Sequence, residues 1–255
     1  MRGLEFQAIY VMWLRQMKRF LRFRSRILIT FIQPLFFLFI LGSGFRNIDF
    51  PGMESGSYIH FFAPGVVAMT ILFSSMFAGI SVLWDKQFGF LQEVLVAPVS
   101  RVSIIIGRTL GGATTALIQG SIILLIVVAM GIPVAGITGL FMAIIFMILI
   151  SFTAVGLGLI FASKMRDMQT FPVIMNLVIM PLLLVSSAFF PLKNLPPAAS
   201  VAARFNPLFY MVDGLRGSLI GKDNILMPAV DFGIVIVICI VMIFLGSYFF
   251  SKSEV

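Results

Sequence analysis

Long stretches without a charged side chain constrain this chain more than any other feature. Five of them contain no Asp, Glu, Lys or Arg: 27–45, 55–84, 109–163, 168–192 and 232–251. A helix that crosses a hydrocarbon core of about 30 Å needs roughly 20 mostly apolar residues. The shortest stretch has 19 residues and the longest has 55, so four can hold one crossing and 109–163 can hold two. The sequence therefore predicts an integral membrane protein with six transmembrane helices.

The whole chain, 1–255, is predicted to form a single transmembrane domain. The long stretch is split at Gly131-Ile132-Pro133, because proline has no amide hydrogen and glycine favours tight turns. With 60% hydrophobic and 11% charged residues, and no alternating barrel pattern, the fold class is an all-α bundle. The predicted spans are 27–45, 55–84, 109–131, 138–163, 168–190 and 232–251.

The distribution of basic residues predicts the orientation. With the N-terminus in the cytoplasm, the inside segments hold 13 of the 18 basic and 5 of the 10 acidic residues, so the whole net charge of +8 lies on that side. The positive-inside rule favours this arrangement. It predicts a multi-pass protein of the cytoplasmic membrane with both termini inside. The basic balance then indicates attraction to anionic lipid and not to nucleic acid.

Segment 1–26 has the pattern of an interfacial helix. Its apolar residues recur at helical spacing, and basic residues including Arg15, Arg19 and Arg22 form another stripe. Trp13 is of the type that anchors such helices at the headgroups. Two roles stay open from the residues alone: a signal for membrane orientation, or a mechanical elbow.

The cytoplasmic loop 85–101 has an amphipathic pattern. Phe88, Leu91 and Leu95 fall on one helical face, Glu93 lies off it, and Pro98 ends the helix. A short helix of this kind can dock a partner by the helix-in-groove mode. It can equally pack against its own bundle.

Segment 191–231 is predicted to lie on the outer side, yet it is apolar and repeatedly interrupted by proline, including Pro191 and Pro207. Helices usually end before a proline, so broken re-entrant helices before the last span are expected. Such an element is a candidate gate, and a loop on the membrane surface is the alternative.

Several function classes lack their usual residues. No Asp or Glu lies in the middle of a predicted span, which disfavours an ion-coupled carrier. The string from Gly217 to Asp223 departs from the phosphate-binding loop in spacing and in its last residue. The sequence shows no catalytic motif around the one histidine, His60, and the one cysteine, Cys239, suggests no metal site. The chain is thus not predicted to be an enzyme.

Three blocks carry a resemblance to a known family. FLRFRSRILITFIQPLFFLFILGSGF (20–45), LQEVLVAPVSRVSIIIGRTL (91–110) and SSAFFPLKNLPPAASVAARFNPLFYMVDGLRGSLIG (186–221) together resemble the membrane subunit of an ABC-2 type exporter. Within that family the chain is most similar to the drug-resistance and nodulation-factor export branch.

The resemblance implies a half-transporter that dimerises, with a homodimer expected, and binds separate ATP-binding subunits. ATP and Mg would be bound by those subunits, and no cofactor by this chain. Asp85 to Ala97 would form the coupling helix, so the ATPase-coupling residues are expected to be Asp85, Phe88, Leu91, Glu93, Leu95 and Arg101. The re-entrant gate would include Pro191, Phe205, Asn206, Pro207 and Arg216.

The expected function is ATP-driven export of an amphiphilic or hydrophobic compound, such as a drug, lipid or glycolipid, across the cytoplasmic membrane. No residue of a substrate site is predicted. A membrane scaffold or assembly factor, and a polysaccharide exporter of the same family, are the alternatives.

Overall fold

The computed structural model describes residues 5–22, 24–45, 48, 57–87, 99–165, 167–192 and 196–252. All regular secondary structure in these ranges is helical. In chain order the helices are α1 (Phe6–Arg22), α2 (Arg24–Gly44), α3 (Tyr58–Gln87), α4 (Arg101–Ala129), α5 (Gly136–Lys164), α6 (Thr170–Val185), α7 (Pro197–Phe205), α8 (Pro207–Leu219) and α9 (Pro228–Lys252). The predicted all-α fold is confirmed.

Four of these helices are long and apolar enough to cross a membrane: α3, α4, α5 and α9. Two shorter apolar stretches lie in α2, at Thr30–Gly44, and in α6. With 16 residues, α6 is roughly 24 Å long, less than the thickness of a hydrocarbon core. The count of six crossings therefore stays a prediction.

The turn between α4 and α5 lies where glycine and proline interrupt the apolar stretch. Gly131 and Gly136 have φ values of +82° and +80°, a conformation that costs glycine little because it has no Cβ. The amide of Ala135 donates to the carbonyl of Leu219, which connects this turn to the end of α8.

The core of the bundle lies around α3. Of the most apolar window of α3, 82% is buried inside the protein, compared with 22% of the corresponding window of α9. Helix α3 packs on α5, α4 and α2, and α5 packs on α9. In contrast, α9 exposes large apolar side chains such as Ile240 and Phe244. Because lipid solvates such side chains, α9 has the character of a peripheral helix.

Glycines permit the closest helix contacts. A Cβ on Gly79 of α3 would lie 2.5 Å from the carbonyl oxygen of Gly158 in α5, and one on Gly156 would lie 2.7 Å from the backbone of Met242 in α9. Small residues are typical of helix interfaces in lipid, where packing replaces the hydrophobic effect as the driving force. These positions fix the spacing of the three helices.

Candidate functional site

The N-terminal helix α1 lies along the first turns of α4. The amide of Glu5 donates to Ser103 Oγ at 3.0 Å, and Trp13 Nε1 donates to Thr114 Oγ1 at 3.1 Å. Between these bonds the backbones come close, since a Cβ on Gly107 would lie 2.7 Å from the Ile9 carbonyl oxygen. Residue numbers increase in the same direction along the contact in both helices, so α1 and α4 are parallel.

The same pairing brings basic residues of α1 to the end of α3, where Asp85 is 3% exposed. Arg15 donates to both carboxylate oxygens, with Nη2 at 2.7 Å from Oδ1 and Nη1 at 2.9 Å from Oδ2. Arg19 Nη2 donates to Oδ1 at 2.9 Å. Bidentate arginine–carboxylate pairs are among the strongest polar contacts in proteins because two aligned hydrogen bonds add to the ion pair.

A third arginine completes this group from α4. Arg108 is 7% exposed, and its Nη2 lies 2.8 Å from Asp85 Oδ2. Among the described residues, Nε of Arg108 has no hydrogen-bond partner. Its guanidinium also faces the ring of Phe250 at the end of α9, 5.8 Å from the centroid. We refer to Arg15, Arg19, Asp85 and Arg108 as the Asp85 cluster; three cations and one anion give it a net charge of +2.

The residues predicted to couple to the ATPase can now be compared with the Asp85 cluster. The carboxylate of Asp85 is occupied by arginines of α1 and α4, and its direct contact with an ATPase stays a prediction. Phe88, Leu91, Glu93 and Leu95 lie outside the described residues. Arg101 is the first residue of α4, and Ser100 caps that helix by accepting from the amide of Ser103 at 3.2 Å. Arg22 is exposed at the last turn of α1.

Sequence reasoning missed Arg108 and the partner of α1. A signal existed in the row Ser103, Gly107, Gly111 and Thr114, whose spacing of four, four and three residues places small side chains on one face of α4. The row marks a helix interface, and Trp13 and Gln16 of α1 are its neighbours.

A second charged group lies at the other end of the bundle. Arg216 of α8 is fully buried, and its Nε donates to the carbonyl of Phe61 at 3.1 Å. Its Nη1 and Nη2 donate to the hydroxyl and carbonyl of Ser187 at 3.0 and 2.6 Å. The guanidinium carbon also lies 3.8 Å from the centroid of the Phe61 ring, within range of a cation–π contact.

Arg216 is paired more loosely with Asp213, one turn earlier on α8, at 3.8 Å. We refer to Phe61, Ser187, Asp213 and Arg216 as the Arg216 cluster. Asp213 accepts hydrogen bonds from the amides of Ile225 and Leu226, so this cluster joins α3, the turn after α6, α8 and the loop before α9.

Asp231, in the first turn of α9, lies against the same cluster. It is fully buried, and its carboxyl interacts with that of Asp213, with which it can form a hydrogen bond when one of the two is protonated. Sequence reasoning did not single out Asp231, because it lies just before the charge-free stretch that begins at 232.

The other predicted gate residues lie around the break between α7 and α8. Asn206 caps α8 by accepting from the amide of Leu208 at 3.0 Å, and Pro207 is the first residue of that helix. The Asn206 amide donates to the carbonyl of Leu182 in α6. Pro191 is buried, whereas Phe205, the last residue of α7, is 86% exposed. The structure therefore has two short helices broken at Asn206–Pro207.

In the described part of the chain, a basic N-terminal helix packs on a bundle of apolar helices, and two short helices precede the last apolar helix. The chain belongs to the ABC-2 type transporter family, whose family model matches residues 7–220. Members of this family are membrane subunits that work with a separate ATPase.

Curated relatives carry the same class of name. The inner membrane transport permease YadH of Escherichia coli (strain K12) is 26% identical over 234 residues, covering 90% of this chain and 89% of the relative. Nodulation protein J of Rhizobium leguminosarum bv. trifolii is 29% identical over 212 residues, covering 78% and 74%. The putative transport permease ycf38 of Porphyra purpurea is 30% identical over 190 residues, covering 72% of this chain. The chain spans only 64% of the length of that relative.

Proposed function

We propose that this chain is the membrane subunit of an ATP-driven exporter that moves an amphiphilic compound outward across the cytoplasmic membrane. Two copies would form the transport pathway, and two separate ATP-binding subunits would bind and hydrolyse ATP with Mg. The family membership supports the transport role. The direction, the dimer and the substrate class are parts of the proposal.

The observation that carries the proposal is the Asp85 cluster. Asp85 lies two residues before the end of α3, where the chain enters the predicted coupling segment. Arginines of α1 and α4 bind its carboxylate, and Arg108 also faces α9. A displacement of the coupling segment would therefore reach three other helices through one carboxylate. Coupling requires two arrangements of such an element that the nucleotide stabilises to different extents.

In the proposed topology α2, α3, α4, α5, α6 and α9 cross the membrane, with both termini in the cytoplasm. The positive-inside rule supports this orientation, since the Asp85 cluster and the basic residues of α1 then face the cytoplasm. Helix α6 is too short to cross unaided. The turn at 186–190 and the broken helices α7 and α8 would complete its path through the outer leaflet.

Segment 191–231 would act as a gate in which α8 is buried and fixed and α7 is exposed and movable. Nearly all of α8 is buried, and Arg216 holds it to α3 and to the turn after α6. By contrast, α7 exposes Val201 and Phe205. We propose that α7 moves during release of the substrate while α8 stays in place.

An amphiphilic or hydrophobic substrate suits the apolar helices α2 and α3. Nodulation protein J is one of the relatives, and we extend an export role of the drug, lipid or glycolipid kind to this chain as a proposal. A polysaccharide-exporting permease of the same family is the alternative.

Purification of the tagged full chain from its native membranes in a mild detergent tests the proposal. We expect an ATP-binding subunit to copurify in near-stoichiometric amount, and mass spectrometry to identify it. The double variant Glu93→Lys/Leu95→Lys should lose that subunit, because it reverses a charge and removes an apolar contact of the coupling segment. A matched pair of changes on the opposite side, Lys222→Glu with Ile225→Lys, should retain it.

Absence of any ATP-binding subunit in several mild detergents would leave the transport hypothesis without an energy source. That result would favour a membrane scaffold. Retention of the subunit by the Glu93→Lys/Leu95→Lys variant would move the contact to another part of the chain.

A further inference from the structure

A polar crevice opens beside the Asp85 cluster, between α1, α2, α3 and α4. Its polar walls come mainly from the second half of α1, from one face of α3 and from the facing side of α4: Gln16, Arg19, Ser74, Ser81, Thr115 and Gln119. Helix faces that meet lipid are normally apolar, because a polar group in hydrocarbon has no hydrogen-bond partner. Ser81 and Thr115 donate to carbonyls of their own helices, whereas the hydroxyl of Ser74 has no hydrogen-bond partner among the described residues.

The crevice leads from the basic end of the bundle toward its middle. Ser81 and Ser74 are seven residues apart on α3, which corresponds to roughly 10 Å along the helix axis. On the facing helix, Thr115 and Gln119 continue the polar lining over one further turn. Half of a hydrocarbon core is about 15 Å thick, so these side chains extend well below the headgroups if α1 lies at headgroup level.

The mouth of the crevice is cationic. Arg19 lines it and belongs to the Asp85 cluster, whose net charge is +2. The buried pair of Asp85 and Arg108 is neutral, so the excess charge lies on Arg15 and Arg19, which are partly exposed and can reach an anion at the mouth. Guanidinium groups bind phosphate oxygens especially well, since their planar forks match the geometry of the anion.

The size of the crevice limits the ligand. The cavity volume of the crevice is about 50 Å³. At 10–15 Å³ for each water, this is room for roughly three to five waters or for one phosphate group with little else. A drug-sized molecule does not fit. Deeper in the crevice, Ser74 is 7% exposed and its hydroxyl has no hydrogen-bond partner in the described part of the chain.

We propose that the crevice binds the phosphate of an anionic phospholipid from the leaflet beside α1. Arg19 would donate to the phosphate oxygens at the mouth. The crevice has room for little more than the phosphate, so the rest of the headgroup would stay at the mouth, and the acyl chains would remain in the bilayer between α1 and α2. The position of α1 at headgroup level rests on the proposed topology, but the binding itself requires neither transport nor an ATPase.

The test uses the full chain in phosphatidylcholine nanodiscs that contain brominated lipid. Bromine quenches tryptophan fluorescence over short distances, and the chain has two tryptophans, Trp13 and Trp84. In a Trp84→Phe background the signal comes from Trp13, one helical turn from Gln16. We expect brominated phosphatidylglycerol to quench Trp13 at about a tenth of the concentration that brominated phosphatidylcholine needs, the value of roughly one charge-assisted hydrogen bond.

Two substitutions should abolish this preference. Arg19→Gln removes the cation at the mouth, and its matched control is Lys18→Gln, the same loss of charge on a neighbouring exposed residue outside the crevice. Ser74→Leu fills the deeper part and leaves the Asp85 cluster intact. Its control is Ser121→Leu, on an exposed position of α4. Both controls should keep the preference.

Other results would overturn the proposal. An equal loss in Lys18→Gln and Arg19→Gln would indicate diffuse attraction of anionic lipid to a basic surface. An unchanged preference in Ser74→Leu would place the lipid elsewhere. Inorganic phosphate added to nanodiscs of unbrominated lipid separates the two sources of the anion. If phosphate shifts Trp13 fluorescence and brominated phosphatidylglycerol shows no preference, the ligand is a soluble anion and not a lipid.

Discussion

The two ends of the bundle hold their charges in opposite ways. In the Asp85 cluster, one carboxylate is shared by arginines from two helices, and Arg15 and Arg19 are partly exposed at 29% and 26%. In the Arg216 cluster, a fully buried arginine donates mainly to backbone carbonyls. Side chains can exchange partners in a small rearrangement, whereas a backbone carbonyl moves only with its helix. We therefore expect the contacts of the Asp85 cluster to be movable and those of the Arg216 cluster to be rigid.

The rigid end should show the largest loss of stability. Arg216→Met removes the hydrogen bonds to Phe61 and Ser187 and leaves the buried carboxylate of Asp213 without its counter-charge. We expect a loss of about 3–5 kcal/mol in the free energy of unfolding. Thermal unfolding in a mild detergent should reveal it as a much lower midpoint.

Arg204→Met is the matched control for that variant. Arg204 is exposed on α7, and its backbone carbonyl accepts a hydrogen bond from the hydroxyl of Tyr210, a bond that the substitution leaves in place. We expect its midpoint to stay near that of the unchanged chain. Equal midpoints for Arg204→Met and Arg216→Met would contradict the assignment of a rigid end.

Substitution of Asp85 should lower the free energy of unfolding less than Arg216→Met does, and it should weaken the coupling of ATP hydrolysis to transport. Asp85→Asn leaves three arginines without their counter-charge, but two of them can turn toward water, so we expect a loss of roughly 2–3 kcal/mol. A double-mutant cycle with Arg108→Met isolates the ion pair. The two changes together should cost about 1–2 kcal/mol less than the sum of their separate effects.

Coupling is measured on the complex with the ATP-binding subunit. Asp85→Asn should keep that subunit bound while the dependence of ATP hydrolysis on added lipid or transported compound falls, because α1 and α4 no longer follow the end of α3. A purely structural Asp85 would lower stability and leave this dependence intact. Strictly additive effects of Asp85→Asn and Arg108→Met would show that the two side chains do not interact.

The sequence predicted the helices of this fold more successfully than their contacts. Charge-free length depends on composition alone, so the positions of α3, α4, α5 and α9 followed from it. The break at Asn206–Pro207 followed from local proline chemistry. Which helix receives α1 depends on tertiary register, and the residues that encode it, Gly107 and Gly111, are informative only once the partner is known.

The same difference explains the two charged clusters. Arg216 was predicted as part of the outer segment through the family resemblance, yet its partners Phe61 and Ser187 are 155 and 29 residues away in sequence. Asp85 was likewise expected to contact a partner subunit through the family resemblance. In the structure it pairs with Arg15, Arg19 and Arg108, and Arg108 had been assigned to the neighbouring loop because it borders a charge-free stretch.

A smaller effect is expected where α1 meets α4. Gly107→Ala places a methyl group within 2.7 Å of the Ile9 carbonyl oxygen, so α1 must shift, at a cost of about 1–3 kcal/mol. Gly233→Ala in α9 is the control, because a Cβ at that position would have no other atom within 4 Å and alanine favours helix by up to about 1 kcal/mol. Hydrogen exchange should report faster opening of α1 in Gly107→Ala alone. Equal exchange in both variants would contradict the close contact.

The smallest effect, with the opposite sign, is expected at Asp231. A buried carboxylate beside another acidic residue is unfavourable, and an amide of the same size removes the charge and keeps a donor for Asp213. Asp231→Asn should therefore leave the midpoint unchanged or raise it, by up to about 1 kcal/mol. Asp213→Asn should lower it, since the amides of Ile225 and Leu226 lose a charged acceptor. The two variants change one acidic group each within the same region, so general effects of lost charge cancel between them. A large loss of stability in Asp231→Asn would mean that a cation or proton donor binds this carboxylate. The Arg216 cluster would then lie beside a ligand-binding site.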